Sequence, residues 1–316
     1  MRVIGQNAYG GPEVLREIDL PRPVPGPGQI LVAVRAAGLN PSDWKHRSAG
    51  LFLNRLPLVL GWDVSGVVEE VGLGVTLFKP GDDVFGMLPY PQGVGSHAEF
   101  VTGPARSFAR KPLRIGHVEA AALPLAALTA YQAIVDTAGV QGGQRVLIHA
   151  AAGGVGHLAV QLAKARGAHV IGTASAPKHG FVRFVGADEV IDYRTTDFRD
   201  CAKDIDMVLD PVAGDTRTRS LDVLRPGGIL VSLLPGNDPD EASKARAAGV
   251  RVETMLVESD HFGMRAIADL VEAGRLRPHV EAVFPLSEAP RAHALGETGR
   301  TSGKIVLAVD PDRRAS

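Results

Sequence analysis

The sequence predicts a two-part α/β protein, with a doubly wound parallel sheet in the middle of the chain and a β-rich part around it. Three observations predict this. Between Arg145 and Lys178 the order RVLIHA, AAGGVG, HLAVQLAKARGA, HVIGTA reads as strand, Gly-rich turn, helix and strand. Beyond it, apolar runs alternate with helical periodicity as far as about residue 257. Residues 1–120 instead hold short β-rich runs punctuated by Pro and Gly, as in PRPVPGPGQ and KPGDDVFG, with no αβ repeat.

Taken in order, Ile30–Ala36, Val64–Val71 and Ala98–Val101 predict a twisted, mostly antiparallel sheet or partial barrel. From about Val118 the run EAAALPLAALTAYQAIV predicts a helix. The continuous apolar run Arg145–Ala150 suits a parallel strand covered on both faces. Leu158, Leu162 and Ala165 then recur at helical spacing, with the helix reaching about Arg166. Strands at His169–Ala174, Glu189–Tyr193, Met207–Asp210, Ile229–Leu234 and Val250–Leu256, with helices between, complete a six-stranded sheet. After Glu258 come the helix MRAIADLVEAG, the segment FPLSEAPRAHALGE and a last strand, KIVLAV. This piece is expected to return to the first domain, whose sheet otherwise lacks covering helices. The expected domains are therefore 1–120 with 258–316, and 121–257. The closing PDRRAS is expected to fray.

A chain of 316 residues suffices for two domains and a large core. Its net charge of −1, with both signs well mixed, gives nothing to steer it to nucleic acid or an anionic membrane. No 18-residue apolar span is free of charge, and MRVIGQNAYGGPE lacks a signal-peptide core. The single cysteine, Cys201, excludes an internal disulfide and fits a reducing compartment, so a cytoplasmic location is expected.

The Gly-rich turn is the clearest binding element. In a strand–turn–helix–strand unit, Ala152, Gly153, Gly154, Val155 and Gly156 present backbone to a dinucleotide pyrophosphate. Gly153 allows close approach, Gly156 allows helix–strand packing, and the helix N-terminus supplies free N–H groups. Ala151 replaces the first glycine of the usual fingerprint. NAD sites usually place Asp or Glu about 20 residues beyond that glycine. Here the position falls on Ala174-Ser175, and no Asp or Glu occurs from Thr137 to Ala187. A hydroxyl at Ser175 and a cation at Lys178 suit a 2′-phosphate, so NADPH is the expected cofactor. The plainer reading of Lys178 is a charge opening a surface helix.

AAGLNPSDWK (36–45), GWDVSGVVEEVG (61–72), KPGDDVFG (79–86), the AAGGVG turn and GKIVL (303–307) together resemble the medium-chain dehydrogenase/reductase superfamily. Within it they resemble the zinc-independent quinone oxidoreductase and enone reductase branch, which includes zeta-crystallin-like proteins. The resemblance covers nearly the whole chain. It implies a GroES-like β-rich catalytic domain, a Rossmann cofactor domain and an active site in the cleft between them. The alcohol dehydrogenase branch holds zinc through a Cys near position 40 and the His of a GHE motif. Here those places read Asn40-Pro41-Ser42-Asp43 and Gly61-Trp62-Asp63, so the ligands for a catalytic metal are missing where they are expected. The ten histidines are scattered, the nearest approach to a site being His97 with Glu99, read as a solvated strand pair.

The expected reaction is hydride transfer from NADPH to a quinone or to the β-carbon of an α,β-unsaturated carbonyl, without zinc. By resemblance, Asn40 sits beside the nicotinamide ribose or substrate, Thr129 contacts the carboxamide region, and Lys45 of DWK donates to the developing enolate. Asn40 equally suits a turn residue before Pro41, Thr129 a buried helix residue and Lys45 a surface charge. Tyr193, ending VIDY, matches a tyrosine over the adenosine 2′-phosphate. Lys304 matches a basic residue that reaches the pyrophosphate, or is only a strand-end charge. Leu233 opens the loop LLPGN (233–237) at the carboxyl end of a strand, where α/β ligands bind. Trp44, Tyr90 and Tyr131, with the loops 51–57 and 87–95, are candidates for an apolar substrate cleft. Asp43 and Asp63 are expected to fix loops by hydrogen bonds, and Asp210 to cap the turn before Pro211.

Two alternatives remain open: a standalone enoyl reductase of a biosynthetic pathway of polyketide type, and a non-enzymatic NADPH-binding structural or RNA-binding protein. The net charge of −1 argues against RNA. Edge strand Val250–Leu256 is the expected contact of a homodimer.

Overall fold

The computed structural model describes residues 1–236 and 238–309; Asn237 of the LLPGN loop and the tail expected to fray lie outside them. The chain divides into two compact units, residues 1–128 with 258–316, and residues 129–257.

The first unit opens with β1 (Arg2–Gln6), β2 (Arg16–Asp19), β3 (Gln29–Leu39), α1 (Pro41–Ala49), β4 (Leu58–Val59) and β5 (Asp63–Val71). β6 (Asp83–Met87), β7 (Phe100–Pro104), β8 (Phe108–Arg110) and α2 (His117–Ala121) follow. α3 (Pro124–Tyr131) then crosses the division between the units. Sequence periodicity predicts one helix from Val118, but Pro124 interrupts it. Proline has no N–H for the helical ladder and its ring crowds the preceding turn, so α2 ends and α3 begins. A π-helical stretch, Gln132–Thr137, closes this region.

The second unit alternates strand and helix as expected. It comprises β9 (Arg145–Ile148), α4 (Gly156–Ala165), β10 (His169–Ala174), α5 (His179–Phe184), β11 (Glu189–Asp192), α6 (Phe198–Cys201), β12 (Ile205–Asp210), α7 (Asp215–Ser220), β13 (Leu224–Ser232), α8 (Glu241–Ala248) and β14 (Arg251–Thr254). The sheet is all parallel, in the order β11-β10-β9-β12-β13-β14, so the chain starts in the middle and winds outward twice. Leu147, Ile171, Val208 and Leu230 from adjacent strands share one buried layer with Phe198, Leu221 and Val250. Burial on both faces explains the near-continuous apolar runs of these strands.

The chain then returns to the first unit as α9 (His261–Glu272), β15 (Val280–Pro285), α10 (Ala289–Glu297) and β16 (Lys304–Ala308). The sheet there runs β15-β16-β3-β5-β6-β8, with β7 also paired to β3. It is antiparallel apart from β15 with β16. Long β3 is its spine, buried along almost its whole length. The strand expected at Ala98–Val101 begins later, at Phe100, because Ala98 makes only an isolated bridge to Val3. No helix among the described residues is long and apolar enough to cross a membrane.

Candidate functional site

In the second unit the turn after β9 is a tight backbone cradle. Ala150 takes a left-handed φ of 48°, the Gly153 N–H donates to Ala150 O (2.8 Å), and the Ala151 N–H donates to Thr173 O (3.0 Å). α4 then starts at Gly156, and the N–H groups of Gly154, Val155 and Gly156 make no hydrogen bond among the described residues. A Cβ on Gly156 would lie 2.3 Å from Ala150 O and 2.8 Å from Ala151 Cα, so only glycine lets the helix sit this close to the strand end. At Gly153 a Cβ would meet only Ala150 O, at 3.2 Å. Ala152 is buried beneath the turn. Free N–H groups at the N-terminus of a ten-residue helix fit a pyrophosphate.

His149, read from the sequence as part of the strand, is a support for this turn that sequence reasoning missed. Its Nδ1 lies 3.1 Å from Thr173 Oγ1 and its Nε2 3.0 Å from Ser220 Oγ. Ser220 directs its own proton to Thr216 O (2.7 Å), so Nε2 carries the imidazole proton and Nδ1 accepts from Thr173. Burial pushes the imidazole down to about 4, which keeps it neutral and the network intact. A lone polar residue closing an apolar strand was the only signal.

The remaining cofactor candidates of this unit lie at the carboxyl ends of its strands. Ser175 is buried just beyond β10, Lys178 ends a short 3-10 turn, and Tyr193 stands 57% exposed just beyond β11. Beyond β13 the Leu233 N–H is bonded to Asp210 O (2.9 Å). Asp210 accepts from the N–H groups of Val212 and Ala213 (2.9 and 3.0 Å), the turn-capping role expected of it. Thr129 is buried in α3.

In the first unit the structure brings Asn40 and Lys304 together across 264 residues of sequence. The Lys304 ammonium, 3% exposed, donates to Asn40 Oδ1 and to Asp63 Oδ2, the latter at 3.1 Å. Asn40 Nδ2 donates to the same carboxylate oxygen (2.9 Å), while Asp63 Oδ1 accepts from the Leu125 N–H (2.7 Å). Lys304, expected at the pyrophosphate, is thus the buried counterion of Asp63, because burying either charge alone would be costly. Gly38 makes the room: a Cβ there would lie 2.6 Å from Asp63 Oδ2 and 2.3 Å from Ala121 O. Asp43 caps the same corner, accepting from the Asn40 N–H (2.7 Å) at the start of α1. Three ionisable groups, Asp43, Asp63 and Lys304, are therefore buried together. Burial, and after it the neighbouring Asp63, pushes the Asp43 carboxyl up to about 8 against the lowering effect of the Asn40 N–H. At neutral pH the cluster holds a proton on Asp43 and one compensated ion pair.

Lys45 is not part of this cluster; it lies exposed on α1. Trp44, a candidate for the cleft, instead packs on α10, where a Cβ on Gly296 would strike its ring at 2.6 Å. Tyr90 joins an aromatic group, 5.1 Å from Trp62 and 6.5 Å from the exposed Phe52 between ring centroids. Tyr131 is half-buried at the end of α3. The solvated pairing expected of His97 and Glu99 is not found. His97 is fully buried with neither ring nitrogen bonded, edge-on to His293 at 5.7 Å, while Glu99 pairs with Arg2 (2.7 Å). Among the described residues no group of three or more His, Cys, Asp or Glu is placed to hold a metal ion. The large groove of about 760 Å³ between β8 and α9 is lined by Asp82, Arg110, Lys111 and Arg265 and includes none of the candidate residues.

Residues 26–113 match the family described as the alcohol dehydrogenase GroES-like domain, and residues 185–307 the family described as zinc-binding dehydrogenase. The NAD(P)H oxidoreductase RTN4IP1, mitochondrial, of Mus musculus is 37% identical, over 95% of this chain and 87% of its own. The quinone oxidoreductase from Coxiella burnetii superposes with a TM-score of 0.92 at 38% identity, covering 98% of this chain and 99% of its own. The Escherichia coli quinone oxidoreductase complexed with NADPH superposes with a TM-score of 0.89 at 31% identity, covering 98% and 100%.

Proposed function

The chain belongs to the medium-chain dehydrogenase/reductase superfamily, among its NADPH-dependent quinone oxidoreductases, and from that we propose that it reduces quinones or α,β-unsaturated carbonyls without a catalytic zinc. The observation that carries this reading is the Lys304 ammonium, buried between Asn40 and Asp63. It already neutralises the Asp63 carboxylate, so a divalent cation there would find that carboxylate paired and would be repelled by the ammonium at close range. Trp62, in place of a histidine, has no donor atom for a metal; its indole N–H donates to Pro91 O (3.2 Å). An alcohol needs a Lewis acid or base to lose its proton as hydride leaves, whereas a quinone or enone is already polarised to accept hydride.

When bound, NADPH supplies the hydride. The chain's own residues do the rest. The N–H groups of Gly154, Val155 and Gly156 hold the pyrophosphate, and Ser175, Lys178 and Tyr193 meet the adenosine end. Asn40 keeps one amide orientation because Lys304 donates to its oxygen while its nitrogen donates to Asp63. Its second N–H is left to direct a cofactor or substrate oxygen. The exposed Leu51 and Phe52, with the Tyr90 ring 6.5 Å from that of Phe52, offer apolar surface that would suit a flat conjugated acceptor.

The test follows the nicotinamide absorbance band with NADPH and separately with NADH, across a panel of quinones and 2-enones, with and without a chelator. Oxidation of NADPH in preference to NADH, unaffected by the chelator, is the expected result. Loss of turnover on chelation would overturn the zinc-free mechanism, and the better acceptor decides between quinone and enone.

A further inference from the structure

β10 and β11 run parallel with Ala174 opposite Asp192, so the loops leaving them start side by side. Asp192 ties these loops together: its Oδ2 accepts from the Ala176 N–H (3.2 Å) and its Oδ1 from the Arg194 N–H (3.0 Å). Each oxygen of this carboxylate therefore faces a backbone donor. The staple brings the segment carrying Ser175 and Lys178 against the segment carrying Tyr193 and Arg194.

Arg194 is the residue here that sequence reasoning left without a role. Its guanidinium carbon stands 5.8 Å from the Tyr193 ring centroid, and both side chains are exposed. Among the described residues that guanidinium makes no ion pair and no side-chain hydrogen bond. Arg199, Arg217, Arg219 and Arg225 of the same unit are by contrast each bonded to a carboxylate. An uncompensated fork of five N–H donors beside a hydroxyl and an aromatic face is suited to a phosphate monoester, whose three terminal oxygens take bidentate, charge-assisted bonds.

We propose that Arg194 is a specificity-determining residue that recognises the adenosine 2′-phosphate of NADPH, with the Tyr193 ring steadying its guanidinium plane. Tyr193 follows from the family resemblance and Lys178 from the carboxylate-free segment after β10; Arg194 follows from the Asp192 staple and the uncompensated guanidinium. The proposal rests on the NADPH cofactor and is independent of which acceptor is reduced.

Calorimetric titration of the full chain with 2′-phospho-ADP-ribose and with ADP-ribose tests it without any turnover. The parent is expected to prefer the phosphorylated fragment. Arg194→Met is expected to weaken that fragment about tenfold or more and to leave ADP-ribose within about twofold, the loss expected for a charge-assisted contact. Arg194→Lys keeps the charge without the fork and is expected to recover part of the affinity. It also serves as the test should the Met variant fail to fold. Salt should weaken binding of the phosphorylated fragment to the parent more steeply than to R194M. Unchanged affinity of R194M for the phosphorylated fragment would overturn the proposal, and so would an equal loss for both fragments. A parent that binds the two fragments equally would instead overturn the 2′-phosphate reading itself.

Discussion

Lys304 and Asp63 show how one side chain changes meaning between sequence and structure. Lysine at the start of a closing strand reads as an exposed charge or a ligand for phosphate; in the structure it is 3% exposed and bonded to Asp63 and Asn40. Lys304→Met leaves Asp63 as a buried uncompensated carboxylate and is expected to cost about 3–5 kcal/mol of stability. Adding Asp63→Asn should return much of that loss. Urea unfolding of the two single variants and the double variant checks this, and additive losses would contradict the pairing. Asp43 gives a pH signature. Its carboxyl is raised from an ordinary 3.8 to about 8, so between those values the folded state holds a proton that the unfolded state has lost. Stability contributed by this group is thus complete below about pH 4 and declines as pH rises through 8. Asp43→Asn mimics the protonated form, so its melting temperature relative to the parent should climb from pH 5 to about pH 8 and level off above it. A constant difference would show that Asp43 is not the proton holder.

At the scale of elements, the turn between β9 and α4 was the most legible feature of the chain, because glycine spacing reflects steric need directly. The structure separates two glycines that look equivalent in the sequence. Gly156→Ala places a methyl 2.3 Å from a backbone oxygen that cannot move without shifting β9, whereas the nearest contact at Gly153 is 3.2 Å. We expect Gly156→Ala to cost about 1–3 kcal/mol and to weaken NADPH binding at least tenfold. Gly153→Ala should leave stability within about 0.5 kcal/mol. Thermal melts and cofactor titration of both variants check the contrast. The helix break at Pro124 was visible as a residue, yet an unbroken apolar stretch on both sides hid its effect. His149 was hidden for a similar reason, since a hydrogen-bonded histidine occupies the same buried strand end as an apolar residue.

For the molecule as a whole, buried imidazoles contribute to the response to acid. Burial holds His97 down at about 3 and His293 well below its ordinary value, with His97 and the buried Arg47 beside it adding to the effect. Below about pH 6.5 the unfolded chain binds protons that these two side chains in the fold do not, so stability falls as pH drops from 6.5 toward 3. His97→Phe removes one such site, and because neither ring nitrogen has a partner it removes no hydrogen bond. Its melting temperature should decline less than the parent's between pH 7 and pH 5. An equal decline would place the acid sensitivity elsewhere. β14 ends the sheet of the second unit with its outer edge unpaired among the described strands. Homodimer formation through that edge is expected, and light scattering of the parent and of a Val252→Pro variant, which adds a strand breaker there, would show it as loss of the dimer.

By itself the sequence determined the order of elements, the division into a β-rich unit and a parallel α/β unit, the dinucleotide turn and the absence of a carboxylate at the end of β10. These are local: periodicity, glycine spacing and residue type act over a few turns of chain, and each leaves a mark within a short window. Only the tertiary structure decided which distant residues share a buried site. Asn40 and Lys304 are 264 positions apart and His97 and His293 nearly 200, and no short-range pattern records that they meet. Burial there changes the chemistry of ordinary side chains. It turns a lysine into an internal counterion, an aspartate into a proton holder and a histidine into a neutral core residue, through the cost of keeping charge away from water.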